Sequence, residues 1–181
     1  MATIFGLDIS TSITGIAILK GETIIAIDHI DFKKCNNIWE KTDVVKNKID
    51  NLSKQFNLFP GEVTIAVEQP LMGFQAGMSS AQTITTLTQF NGIVSYIARD
   101  KFKINPEFVS AAHARKVCGM KMQKTKVAGM SHKEQVFKYM SENDLKHIVW
   151  PTKKKSDKLV EWSRDCTDAY VIARAFYLMN K

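Results

Sequence analysis

The sequence is short of what a membrane span, a disulfide scaffold or a zinc-held fold requires. Its three cysteines, Cys35, Cys118 and Cys166, form no CxxC pair and meet no histidine at zinc-site spacing, so neither a disulfide framework nor a structural zinc site is supported. No stretch approaches the roughly 20 uninterrupted apolar residues of a membrane helix. The opening MATIFGLDIS lacks a basic segment followed by an apolar one, so a soluble, cytoplasmic protein is expected. Internal repeats, low-complexity tracts and long linkers are also missing. The 181 residues, 45% apolar, suffice for one ordinary core and are short for two, and a single domain over residues 1–181 is expected.

Positive charge is present but uneven. The chain carries +7, yet Arg115 to Lys158 holds twelve Lys or Arg against four Asp or Glu, a net +8, which leaves −1 for the remainder. This segment, with KMQKTK and TKKKSDK in it, suits a phosphate backbone, because each neutralised phosphate releases condensed counterions. A solvated lysine-rich face is the other reading open at this point.

The first 32 residues read as three strands, TIFGLDI, GIAILK and TIIAIDHIDF, whose short connections imply antiparallel neighbours. Ile38, Val45, Ile49, Leu52 and Phe56 recur at helical spacing and predict an amphipathic helix from about Ile38 to Phe56, ending before Pro60-Gly61. EVTIAVEQ then reads as a buried strand. A helix between two strands permits a right-handed crossover that lays this fourth strand parallel to the first. After the loop QPLMGFQAGMSS a long helix is predicted from Ser79 to Lys101. Its Ile84, Leu87, Phe90, Ile93, Val94 and Ile97 cover more than one face, which implies burial on two sides, by a dimer partner or by the chain itself. A short strand near EFVSA, a helix from about Ala111, a basic Gly-containing loop, a helix near Ser131 to Glu142 and a terminal helix complete the order.

In the terminal stretch RDCTDAYVIARAF, Asp165 and Asp168 share a helix face with Ala169, Ile172 and Phe176. Like charges one turn apart repel, and a buried unpaired carboxylate costs on the order of several kcal/mol. Either the macrodipole favours both acids near a helix N-terminus, or a cation holds them. Asp8 ends the first strand and Glu68 the fourth. If those strands are parallel neighbours, both carboxylates emerge at the carboxyl edge of the sheet, where open α/β folds place their sites. The terminal helix, packing its apolar face on the sheet, would bring Asp165 and Asp168 to the same edge. Four acids without a run of arginines call for hard divalent cations with oxygen ligands, Mg2+ or Mn2+. Two such ions activate a water and stabilise the leaving oxygen in phosphodiester hydrolysis, chemistry that a phosphate-binding segment would accompany.

IFGLDISTSITGIAIL, IAVEQPLMG, SAAHARKVCG, SHKEQV and RDCTDAYVIARA stand in the order and spacing of the RuvC-type Holliday junction resolvases. The chain resembles a phage-type relative over nearly its full length, with only a generic amphipathic helix to match from Lys33 to Phe59. The resemblance implies an α/β, RNase H-like fold, a mixed five-stranded sheet flanked by helices, in a homodimer. It implies that Asp8, Glu68, Asp165 and Asp168 are catalytic, metal-binding acids with two Mg2+ or Mn2+ ions per site. Lys116 and Lys133 fall where the family keeps basic residues near the scissile phosphate, to stabilise the transition state. Arg115, Lys116, Lys121, Lys124, Lys126 and Lys133 are then the candidate DNA-contacting cations. The implied partner is branched DNA, four-way junctions above all, and the implied place is the host cell cytoplasm if the protein is phage-encoded.

Two features depart from the family pattern. Asp8-Ile9-Ser10-Thr11-Ser12 lacks the glycine usual shortly after the first aspartate. Where the family presents an aromatic wedge just after the glutamate, this chain has Leu71, with Phe74 three residues on. Phe74 is the wedge candidate, an apolar side chain that would enter between base steps and hold a junction open. Packing under its own loop or against a dimer partner is the alternative role.

Three other functions compete. GLDISTSITGIAIL also resembles the first phosphate-binding hairpin of actin-like ATPases and sugar kinases, but the second Asp-Gly-rich phosphate loop and the Gly-rich adenosine loop of those enzymes have no counterpart here. A non-cutting DNA-binding module would use the basic segment and leave the four acids without a role. An endonuclease acting broadly on forks, flaps and three-way junctions would use both.

Overall fold

The computed structural model describes residues 2–70, 80–154, 156 and 158–181. Short apolar runs, buried on both faces in the first two strands, make a meander of β1 (Thr3–Asp8), β2 (Ile13–Lys20) and β3 (Thr23–Asp31), each antiparallel to the next. Helix α1 (Ile38–Gln55), capped by the Asn37 side chain on the Trp39 and Glu40 amides, crosses over to β4 (Val63–Glu68). That strand lies parallel to β1. Helix α2 (Ala81–Phe102) leads to β5 (Glu107–Val109), parallel to β4, and the sheet order is β3-β2-β1-β4-β5. There follow α3 (Ala111–Val117), a single turn α4 (Thr125–Ala128) within the basic loop, α5 (His132–Glu142) and α6 (Trp162–Met179). This is the mixed five-stranded sheet expected from the sequence. Among the described residues no helix is long and apolar enough to cross a membrane.

The two sheet faces carry different residues. Phe5, Leu7, Ile16, Ile18, Ile65 and Val67 pack against α1 and α2. The opposite face is built from smaller residues and receives α6. A Cβ on Gly6 would stand 2.7 Å from both the Ala169 carbonyl oxygen and the Ala173 Cβ, and one on Gly15 would run into the Asp165 carbonyl. Gly15 is paired with Asp8 across β1 and β2. The closest approach of α6 to the sheet therefore falls beside the first candidate acid.

The helix that this chain buries on two sides is α6. Cys166 to Ala173, with Ala175 and Phe176, are buried, because the sheet covers one side and α3 and α5 cover the other. In α2 one stripe is buried, Phe90, Asn91, Val94, Ser95, Ala98 and Phe102, while Ile84, Leu87, Ile93 and Ile97 are half-buried. The missing glycine after Asp8 is compensated by Ser10. Its hydroxyl accepts from the Ser12 and Ile13 amides and donates to the Ile13 carbonyl at 2.6 Å, closing the β1–β2 turn.

Replacement of Gly15 by alanine tests this close contact. Because the obstructing atoms are backbone, the variant is expected to lose about 1–3 kcal/mol or more in urea unfolding. An unchanged midpoint would show that α6 has room to move.

Candidate active site

Four carboxylates meet at the carboxyl edge of the sheet. Asp8 closes β1, and Glu68 closes β4 directly after the β1–β4 register pairs. Asp165 lies in the first turn of α6 and Asp168 one turn on. The glycine contact at Gly15 sets that first turn against the sheet, so all four side chains share one corner. Asp8 is 7% exposed and Asp168 5%. The Glu68 carbonyl is held by the Asn91 side-chain amide from α2 at 3.4 Å. Asp8 and Glu68 line a cleft of about 170 Å3, bounded by Ser10, Pro70 and, on α2, Ile84, Leu87 and Thr88.

Lys133 stands in the middle of the acids. Its Nζ lies 2.6 Å from Asp165 Oδ1, 3.5 Å from Asp8 Oδ2 and 3.6 Å from Asp168 Oδ2. Two features fix its helix. Ser131 and Glu134 form a reciprocal capping box at the start of α5, and Glu134 also pairs with Arg164 of α6 at 3.2 Å. Lys133 thus leaves a backbone pinned to the same helix that carries two of the acids.

One ammonium cannot balance four carboxylates in a partly dry corner. Burial, followed by the Asp8 and Asp168 charges, pushes the Glu68 carboxyl up to about 8. Burial and Asp8 raise Asp168 to about 7 against the pull of Lys133 and Arg115. Asp8 is raised as well, burial outweighing the attraction of Lys133. Burial alone would lower the Lys133 pKa, but Asp8, Asp168 and Asp165 reverse this and hold it charged.

The donor set fits a hard cation. It is all oxygen, and Asp8 Oδ2, though ion-paired to Lys133 at 3.5 Å, is buried without a hydrogen bond, an acceptor that a metal ion would satisfy. Among the described residues, no group of three or more His, Cys, Asp or Glu side chains is placed so as to hold a metal ion. Asp8, Asp165 and Asp168 instead surround the Lys133 ammonium.

The other candidates are placed unevenly. Arg115 is half-buried on α3, close enough for its charge to lower Asp168, whereas the adjacent Lys116 is exposed. Lys121, Lys124 and Lys126 are exposed along the loop that includes α4. Gln135 ties that loop to α5, accepting from the Gln123 amide and donating to the Gln123 and Met130 carbonyls. Phe74, the wedge candidate, lies outside the described residues. Sequence reading missed Gly15, Glu134, Arg164 and Gln135. Of these only Glu134 carries a local signal, the Ser-x-x-Glu capping pattern.

The raised carboxyls make the metal-free fold sensitive to alkali. Folded Glu68, at about 8, and Asp168, at about 7, keep protons that the unfolded chain releases near the ordinary carboxylate value. The folded state then binds more protons through this window, so stability falls as pH rises from about 4 to about 8. In EDTA, urea unfolding is expected to be harder at about pH 5.5 than at about pH 8.5, with on the order of 1–3 kcal/mol from this cluster. Asp168→Asn should flatten the slope, and a flat wild-type profile would show that the acids ionise freely.

Residues 1–172 match a protein family described as DUF3882, Lactococcus phage M3 protein. No curated protein sequence matches. Among solved structures, Thermus thermophilus RuvC in complex with Holliday junction substrate superposes with a TM-score of 0.63 at 9% identity, covering 99% of this chain and 96% of that one. A second Thermus thermophilus RuvC structure gives 0.58 at 11% identity, covering 98% and 96%. At this identity the likeness concerns the fold. The chain belongs to the DUF3882 phage protein family and has a RuvC-type, RNase H-like fold.

Proposed function

We propose that this protein is a divalent-metal-dependent endonuclease that hydrolyses phosphodiester bonds in branched DNA, with four-way junctions as its main substrate. The observation that carries the reading is the convergence of Asp8, Glu68, Asp165 and Asp168 on one sheet edge, where the buried Asp8 Oδ2 makes no hydrogen bond and meets Lys133 only as an ion pair at 3.5 Å. These four residues would hold Mg2+ or Mn2+, two ions per site. When bound, the ions would supply an activated water and stabilisation of the leaving oxygen. The junction named with one of the Thermus RuvC structures supports the choice of substrate.

The remaining roles belong to the chain's own cations and surfaces. Lys133 and Arg115, beside the acids, are suited to a phosphate at the cleavage point, and Lys116 to one just outside it. Lys121, Lys124 and Lys126 extend positive charge along the loop for backbone phosphates farther away. Phe74 remains the proposed wedge. We assign the half-buried Ile93 and Ile97 of α2, together with the exposed Tyr96, to a homodimer contact. A two-fold dimer would present one active site to each of two strands and nick a junction symmetrically.

End-labelled four-way, three-way and linear duplex DNA, incubated with Mg2+ or EDTA, tests the reading. Paired nicks confined to the four-way junction and dependent on Mg2+ are expected. Asp8→Asn should cut more than about 100-fold more slowly, exceeding the usual cost of disturbing an outer-shell partner of a metal site, while still binding DNA. Equal cutting of three-way and four-way forms would favour the broader branched-DNA endonuclease. Binding without cleavage under any metal condition would leave a DNA-binding protein.

A further inference from the structure

The acids are held by one cation already, and its position has consequences for how the site is loaded. Lys133 Nζ lies 2.6 to 3.6 Å from one oxygen each of Asp165, Asp8 and Asp168. These are the same carboxylates that would hold a divalent ion. An ammonium and a divalent ion cannot both occupy that space, because like charges within a few ångströms in a poorly solvated corner repel strongly.

The surroundings define which part of Lys133 is free to leave. The backbone is fixed by the Ser131–Glu134 capping box and by the Glu134–Arg164 pair. Only the four-carbon side chain remains adjustable, and it is 48% exposed whereas the Asp8 and Asp168 side chains it touches are 10% and 6% exposed. The lysine reaches in from the solvent side, so a rotation about its own side-chain bonds withdraws it without moving α5. The bond to Asp165 is short, but Asp8 Oδ2 at 3.5 Å has no hydrogen-bond partner. Lys133 neutralises the corner without satisfying every oxygen in it, which leaves a better ligand something to gain.

We infer that Lys133 is an internal cation that holds the acids together in the metal-free protein, and that divalent metal loads by exchanging with it, releasing its ammonium towards the DNA backbone. The inference rests on the metal-dependent reading above and adds its order of events. It also gives Lys133 two positions with two roles: counterion to the carboxylates before loading and phosphate contact afterwards. Metal affinity is then reduced by the fraction of molecules in which the lysine occupies the acids.

Calorimetric titration of Mg2+ into the wild type and Lys133→Met, without DNA, reads this competition directly. The variant is expected to bind at least about tenfold more tightly, corresponding to a lysine in place for nine-tenths of the time or more, and to show a larger metal-induced rise in Tm. A second measurement needs only the wild type. Lysine labelling with an amine-reactive reagent, read by mass spectrometry, should show Lys133 protected in EDTA and several-fold more reactive in saturating Mg2+, with exposed Lys121 unchanged. Should the variant fail to fold, the labelling decides. Equal or weaker Mg2+ affinity in Lys133→Met, or labelling indifferent to bound Mg2+, would overturn the exchange and leave the metal site standing. Absence of Mg2+ or Mn2+ binding by the wild type and the variant alike would overturn the metal-dependent reading and the exchange with it.

Discussion

The arrangement depends on how closely α6 lies on the sheet. Gly6 and Gly15 remove the side chains that would hold the helix away, and Ala169 and Ala173 do the same from the helix side. The first turn of α6 can therefore sit against the β1–β2 pair, at the residue that faces Asp8. A bulkier interface would still bury apolar area, but Asp165 and Asp168 would stand too far out to share a corner with Asp8 and Glu68. Close packing of small residues thus sets the separation of the charges.

That proximity has an electrostatic cost, which the structure partly offsets and partly retains. Lys133 supplies one positive charge to four acids, and Arg115 adds attraction at Asp168. The rest of the imbalance appears as protons kept on Glu68 and Asp168. A site built solely for stability would replace such a cluster with apolar residues, since buried charges seldom recover their desolvation cost. Strained electrostatics of this kind collect where charge is needed for binding or chemistry. The basic segment beside the corner gives a reason for the charge: acids gather cations at one point, while lysines on α3, α5 and the intervening loop gather phosphate around it.

Much of this was legible in the sequence because it rests on local pattern. Strand-end positions of Asp8 and Glu68 follow from two apolar runs, and the helix between them permits the parallel crossover that makes them neighbours. The three-residue spacing of Asp165 and Asp168 put them on one helix face. What the sequence did not show depends on packing between distant segments. Lys133 is 32 residues from Asp165; the family resemblance set it near the site, but the capping box that starts its helix says nothing about its seat among the carboxylates. Gly15 reads as an ordinary strand residue until a helix carbonyl is found against it. The choice between Arg115 and Lys116 turns on the rotation of α3. Within the chain the helix covered on two sides is α6, whose AYVIARAF is apolar on nearly every face and whose short alanine side chains admit neighbours from both directions.

The most direct measurement is the anomalous scattering of a crystal of the wild-type protein soaked in Mn2+. Manganese peaks enclosed by Asp8, Glu68, Asp165 and Asp168, with the Lys133 ammonium displaced, are the predicted result. A crystal that takes up no manganese at this corner, with Lys133 still seated among the acids at saturating Mn2+, would contradict the account of these carboxylates as a metal-binding centre.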